Sequence, residues 1–364
     1  MRVQRIKSPN GKTGWTVLDN NFYPVQPICQ YLKYLINLER SPNTVQNYAR
    51  HLKLFWEFLD QNHLDWKAIN LEKLADFIHW LRRPDPRAVS IKKQEARRTE
   101  STINIILSAV CNFYDFQFRL GNVADINAYS SEFQRNRRYK PFLHHLSKGK
   151  PTQTRLLKLK VPKRQPKTLT PEQITALIAA CHTLRDKFLL CLLYESGMRI
   201  GQALGLRHED VRSWDNEIGI VYRADNANGA LAKGKEPYTI HVSKELMGLY
   251  SDYLSNEYPL ESGSDYVFVN LKGDNIGAPL KRDSIQSLFE RLQKVTGIDF
   301  HPHKLRHTHA TELIRNGWEM AYVQKRLGHA SIYTTINTYT HLDNDDLKNA
   351  YKDYLERRGQ DQDD

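Results

Sequence analysis

Residues 301–342 read HPHKLRHTHATELIRNGWEMAYVQKRLGHASIYTTINTYTHL. The stretch is predicted helical, broken by turn-like glycines. His303 and Arg306 stand at i and i+3, so they project from one helix face, a turn apart. A guanidinium so placed forks onto two phosphate oxygens, and the imidazole beside it reaches a proton in transfer. His329 follows Gly328, and Tyr339 lies ten residues further on. A phenol titrates near ~10 and attacks weakly when protonated, so it needs a base or a cationic surround.

Working outward, Arg199 lies in YESGMRIGQALGL (194–206), after a Ser-Gly turn and at a helix start. With Arg306 it supplies two fixed positive charges for one phosphate, enough to stabilise a pentacovalent transition state. The candidate set is therefore Arg199, His303, Arg306, His329 and Tyr339, with Tyr339 as nucleophile. Attack by a phenol on a phosphodiester stores the bond energy in a phosphotyrosyl ester, so a strand can be rejoined without ATP.

The rest of the chain divides by pattern. Residues 1–23 predict a β-hairpin extension, with strands at 3–7 and 15–18 around the turn signal Asn10-Gly11. Residues 24–132 carry helical periodicity in four segments. The second of these opens on Ser41-Pro42, a good cap, and places Tyr48, Leu52, Phe55 and Leu59 on one face. Residues 133–169 read as a basic linker. From 133 to 171 there are twelve Lys or Arg, no Asp or Glu, and five prolines. Such a segment stays extended and suits contact with a phosphate backbone; IKKQEARR (91–98) offers a second basic stretch. Residues 170–345 form a mainly helical second domain opening on Thr170-Pro171-Glu172, with strands expected at EIGIVYR (217–223), PYTIHV (237–242) and YVFVN (266–270). Residues 346–364 are a tail of mixed charge. The fold class is mainly α with a small antiparallel β-sheet.

Composition sets bounds on the partner. Across 364 residues, 53 Lys and Arg face 41 Asp and Glu, a formal net charge of +12 that points to a polyanion. The four cysteines, Cys29, Cys111, Cys181 and Cys191, are widely spaced and read as reduced core residues of a cytoplasmic protein. Neither a signal-peptide pattern at the N-terminus nor an apolar run long enough for a membrane span is found, so no membrane partner is expected.

The motif string YxxGxRIxxxLGL, HxLRHTxAT and LGHxSIxTTxxTYxH closely resembles that of the tyrosine recombinases, or phage-type integrases. The likeness spans the whole second domain. It extends more loosely to the first through SPNTVQNYARHLKLFWEFL (41–59), similar to the family's SAM-like, DNA-binding core-binding domain. It implies strand exchange through 3′-phosphotyrosyl and Holliday-junction intermediates, by a homotetramer on specific double-stranded DNA sites, with accessory recombination proteins as further partners and no metal or other cofactor. On the matching positions, Arg199 and Arg306 clamp the phosphate, His303 is the acid/base group, His329 hydrogen-bonds the phosphate and Tyr339 is the nucleophile. The family's hairpin lysine, general acid toward the leaving 5′ oxygen, falls in AKGKEPYTIHV (232–242). Lys233 fits best, and a one-residue deletion keeps Lys235 open. Gln202 stands where members commonly carry an acidic residue, and reads as a tuning position. The hairpin and LGHASIYTTINTYTHL favour a transposase or integrase of a mobile element.

Other readings stand beside this one. Tyr333 is the nearest rival nucleophile. His301, His303, His307 and His309 have spacings seen in metal sites, but Arg306 among them repels a cation and no HExxH is present; His307 and His309 fit better as packing or hydrogen-bonding groups around the active helix. A chromosome-dimer resolvase or a type IB topoisomerase shares the chemistry, and a DNA-organising protein without catalysis is the alternative from outside enzymology.

Overall fold

The structure is a computed structural model. It describes residues 1–7, 13–83, 97–132, 152–162, 167–232, 234, 236–329 and 331–339. The chain divides into two compact units, Met1–Lys163 and Arg164–Asp364.

In the first unit, strands β1 (Arg2–Lys7) and β2 (Thr13–Leu18) pair antiparallel, Val3 opposite Val17. The turn expected at Asn10-Gly11 lies outside the described residues. Val17 is fully buried in the helical core, so the hairpin is built into this unit rather than appended to it. Helices α1 (Gln26–Asn37), α2 (Pro42–Gln61), α3 (Leu71–Arg82) and α4 (Glu100–Arg119) supply that core. The Ser41 hydroxyl caps α2 by accepting from the Thr44 N–H at 3.2 Å. Leu52, Phe55 and Leu59 are buried as the periodicity requires. Tyr48 sits at the rim, where its hydroxyl accepts from the Asn112 amide at 2.8 Å. Phe55 packs edge-on against Phe77 with ring centroids 5.0 Å apart, and burial of each such ring contributes about 2–3 kcal/mol.

The expected linker contains structure. Strands β3 (Tyr129–Glu132) and β4 (Thr152–Arg155) pair antiparallel. Beyond them Leu157 and Leu159 pack on the first unit's core. The Asn104 side chain exchanges two hydrogen bonds, both 2.9 Å, with the backbone of Leu159. Alternating leucines among the basic residues gave this segment an apolar face that its charge concealed.

The second unit starts with α5 (Pro171–Ala179), whose capping box joins Thr170 and Gln173 reciprocally. Helix α6 (Leu184–Ser196) buries Phe188, Leu189, Leu190, Leu192 and Leu193, an all-round apolar set proper to a central helix. After the short α7 (Ile200–Ala203), β5 (Val211–Arg212), β6 (Glu217–Ile220) and β7 (Tyr238–His241) form an antiparallel sheet in that order. Ile218 and Ile240 are paired and buried. The segment expected to be a strand at 266–270 makes only isolated bridges, at Tyr266 and Val269. Val267, Phe268 and Val269 are buried there, and side chains meet the carbonyls instead: the Tyr253 hydroxyl donates to Val267 and Arg185 to Val269. Helices α8 (Lys244–Asn256), α9 (Arg282–Thr296), α10 (Pro302–Arg315), α11 (Met320–Leu327) and α12 (Ile332–Tyr339) complete the unit.

Candidate active site

The site is assembled where α6 ends, around α10 and the α11–α12 turn. Helix α6 stops at Gly197, which is left-handed at φ 62°. A Cβ there would stand 2.6 Å from the His309 ring and 2.9 Å from a Leu327 methyl. Only glycine permits both the turn and the approach. The chain then presents Arg199 at the start of α7, where its backbone N–H donates to Gln202 Oε1 at 2.8 Å.

Arg306, on α10, is only 4% exposed. Its Nη1 donates to the Gly197 carbonyl at 2.7 Å and its Nη2 to the Leu327 carbonyl at 2.6 Å. Arg199 Nη1 reaches the Gly328 carbonyl at 3.4 Å. Two arginines from separate segments are thus gathered on the two glycine turns that end α6 and α11. A guanidinium carries five N–H donors in a fixed plane, so a carbonyl pair on one edge sets the direction of the whole group.

His303 lies one turn before Arg306 and is exposed, its ring 6.4 Å from that of His301. His329 follows the left-handed Gly328, and its Nδ1 is 2.9 Å from the hydroxyl of the buried Thr335 on α12. Burial, with help from Arg306, Arg199 and His307, pushes His329 down to about 4. His307 is likewise down to about 4, through burial first and then His303, Arg306 and His301. Both imidazoles are neutral near pH 7.

Tyr339 is the last residue of α12; its side chain, and Lys233 and Lys235, lie outside the described residues. The structure therefore brings Arg199, Arg306 and His329 together and puts His303 on the same helix as Arg306. Tyr333, the rival, is half exposed on α12. Among the described residues no group of three or more His, Cys, Asp or Glu side chains is arranged to hold a metal. His309 is buried and accepts from Arg326, while His301 caps α10 through the Lys304 N–H at 3.3 Å.

Several contributors had little or no sequence signal. Gln202 is buried, fixes the Arg199 backbone and donates through Nε2 to the Tyr238 hydroxyl at 3.0 Å. Tyr238 in turn lies against Gly328, whose Cβ would meet that hydroxyl at 2.5 Å. Thr335 and Arg326 read in sequence as ordinary helix residues. Of these residues only Gln202 carries a sequence signal, as a departure from the acidic residue common in the motif.

Three comparisons bear on this geometry. The model of the phage integrase family matches residues 167–346, and that of the phage integrase N-terminal SAM-like domain matches residues 28–121. Transposase A from transposon Tn554 of Staphylococcus aureus is 47% identical over 360 residues, covering 98% of this chain and 99% of that protein. Tyrosine recombinase XerD of Halalkalibacterium halodurans is 29% identical over 332 residues, covering 87% and 93%. Among solved structures, the Tn1549 transposon integrase in complex with transposon right end DNA superposes with a TM-score of 0.60 at 15% identity, over 90% of this chain and 99% of that one. At that identity the likeness is one of fold. Among the described residues no helix is long and apolar enough to cross a membrane.

Proposed function

The chain belongs to the phage integrase family, and from that premise we propose that it is the transposase of a mobile element, cutting and rejoining double-stranded DNA at specific sites. The observation that carries the reading is the buried Arg306, held by the carbonyls of Gly197 and Leu327 beside Arg199 and His329. A site that spends two backbone carbonyls to orient one guanidinium suits a ligand with a planar pair of anionic oxygens.

In the proposed reaction the Tyr339 oxygen attacks the phosphorus and the bond to the 5′ oxygen breaks. A 3′-phosphotyrosyl ester and a free 5′ hydroxyl result. Arg199 and Arg306 stabilise the charge on the non-bridging oxygens. His303 takes the phenol proton, and Lys233, or Lys235 in its place, gives a proton to the leaving oxygen. His329 stays neutral; where Thr335 donates to Nδ1, Nε2 carries the hydrogen and donates to the phosphate. Rejoining is the reverse step with a 5′ hydroxyl from another strand, so bond energy is conserved and a Holliday junction follows from one exchange.

The excess of 53 basic over 41 acidic residues supports DNA as the partner. Strand exchange between two sites, four strands in all, calls for a homotetramer on DNA, with accessory recombination proteins as further partners, in the cytoplasm. The 47% identity to transposase A over nearly the full length of both chains supports the mobile-element assignment over a chromosome-dimer resolvase.

A nicked suicide duplex made from the ends of the DNA element carrying the gene tests the reading. Wild type is expected to become covalently attached and Tyr339→Phe to give no adduct, while Tyr333→Phe reacts normally. An adduct with Tyr339→Phe would show the nucleophile to be another residue. No adduct with wild type on any such end would favour a DNA-organising protein.

A further inference from the structure

Arg326 stands three residues before His329 and outside the six residues assigned above. Its guanidinium makes three hydrogen bonds, each 3.0 Å: Nε to His309 Nε2, Nη1 to the His241 carbonyl, and Nη2 to the Glu195 carbonyl. The acceptors sit on three different segments. His309 is one turn past Arg306 on α10. Glu195 is in the last turn of α6, two residues before Gly197. His241 ends β7, the strand that follows Lys233 and Lys235 in the chain. Arg326 itself sits next to Leu327, whose carbonyl receives Arg306.

The bonding pattern differs from that of a surface ion pair. The carboxylate of Glu195 accepts from Ser243 instead, through its backbone N–H and, at 2.9 Å, its hydroxyl. All three acceptors of Arg326 are neutral; burial works against its charge and the nearby Glu195 carboxylate offsets this only in part, so the geometry of each bond matters. The planar fork suits this task, since it has donors on several edges at once.

We propose that Arg326 is a positioning residue for the phosphate clamp: it ties the end of α6 and the end of β7 to α10, so that Arg199 and Arg306 converge on one phosphate. Arg326 contacts no phosphate in this scheme. It acts through the backbone that carries the residues that do. Tyr238, at the other end of β7, is held by Gln202, so the strand is fastened at both ends to the arginine turns. His309 has to remain a neutral acceptor here, and burial together with Arg326 and Arg306 drives it down to about 3. The inference rests on the recombinase reading.

The test compares full-length wild type, Arg326→Met and Arg326→Lys on the nicked suicide duplex, recording duplex affinity, the single-turnover rate of adduct formation at saturating DNA, and thermal melting. Displacement of a clamp by about 1 Å lowers the rate about 100-fold, so Arg326→Met should lose that much in rate while its affinity stays within about threefold of wild type. Arg326→Lys keeps the charge and the packed stem but has a single donor centre, and should fall between the two. If Arg326→Met melts below the assay temperature, Arg326→Lys decides by the same criterion. A rate within about threefold of wild type, or a loss confined to affinity, overturns the positioning role. Absence of an adduct with wild type overturns the recombinase reading and this inference with it, which separates the two failures.

Discussion

Arg306 Nη1 donates to the Gly197 carbonyl at 2.7 Å, joining residues 109 positions apart. The bond places a helix-borne arginine on the turn that presents Arg199, and the second bond, to Leu327, does the same for the turn that presents His329. One buried side chain thus ties together three pieces of the site.

Replacing Arg306 by Met should therefore harm stability as well as chemistry. The carbonyls of Gly197 and Leu327 lose a charged donor, and leaving two such acceptors unmet costs roughly 2–5 kcal/mol. Urea unfolding should show that loss as a lower midpoint with an unchanged slope. Adduct formation on the suicide duplex should fall below detection.

Gly197→Ala tests the turn itself. The backbone is left-handed at φ 62°, and the added methyl meets the His309 ring at 2.6 Å and Leu327 at 2.9 Å. Backbone strain of about 1 kcal/mol and overpacking of about 1–3 kcal/mol together predict a loss of roughly 2–4 kcal/mol. At Gly121, also left-handed but with nothing within 4 Å, alanine should cost only the backbone part. A comparison of the two by urea titration separates strain from clash.

Gln202 uses both ends of its amide, accepting from the Arg199 N–H and donating to Tyr238. Gln202→Glu retains the acceptor, and Tyr238 can turn its hydroxyl to donate, so the cleavage rate should stay within about threefold. Gln202→Leu removes both bonds, and at about 1 kcal/mol each the rate should drop about 10-fold or more. Equal rates for Leu and Glu would mean that Gln202 does not position Arg199.

Acid should destabilise the second unit from about pH 6.5 downward, starting above the ordinary carboxylate range. His307 and His329 are down to about 4 and His309 to about 3, against an ordinary value near 6.5, so the unfolded chain binds more protons than the folded one throughout that interval. Stability is thus fully present above about pH 6.5 and is lost progressively as pH falls toward 4. Melting temperatures measured from pH 7.5 to 4.5 should decline below pH 6.5, and His309→Gln should flatten part of that decline. A DNA phosphate set against His329 favours its protonated form, so duplex binding near pH 5.5 should be accompanied by proton uptake, measurable by calorimetry in buffers of different ionisation heat.

Much of the fold was legible because it is local. Ser41-Pro42 and Thr170-Pro171 open helices as their chemistry requires, and Gly197 ends one. Two segments fold differently from what their composition suggests, for identifiable reasons. The run Val267-Phe268-Val269 has strand composition, yet the carbonyls of Val267 and Val269 meet the Tyr253 and Arg185 side chains, and its backbone bonds to Leu206 and Leu280 build no continuous ladder. Residues 152–162 look like a linker by charge and proline content, yet β-pairing and two leucines fold them onto the first unit. Local composition does not reveal partners that lie far away in the chain.

The sequence by itself determined most of the helices, the two-part organisation and the residue types of the candidate site, since helix caps, left-handed glycines and the arginine–histidine pattern are properties of short segments. Only the tertiary structure decided how that site is held. Arg306 is oriented by the carbonyls of Gly197 and Leu327, and Arg326 by those of Glu195 and His241. Every residue has a carbonyl, so such an acceptor leaves no mark in the sequence and is recognisable only once folding has put it within 3 Å of a donor.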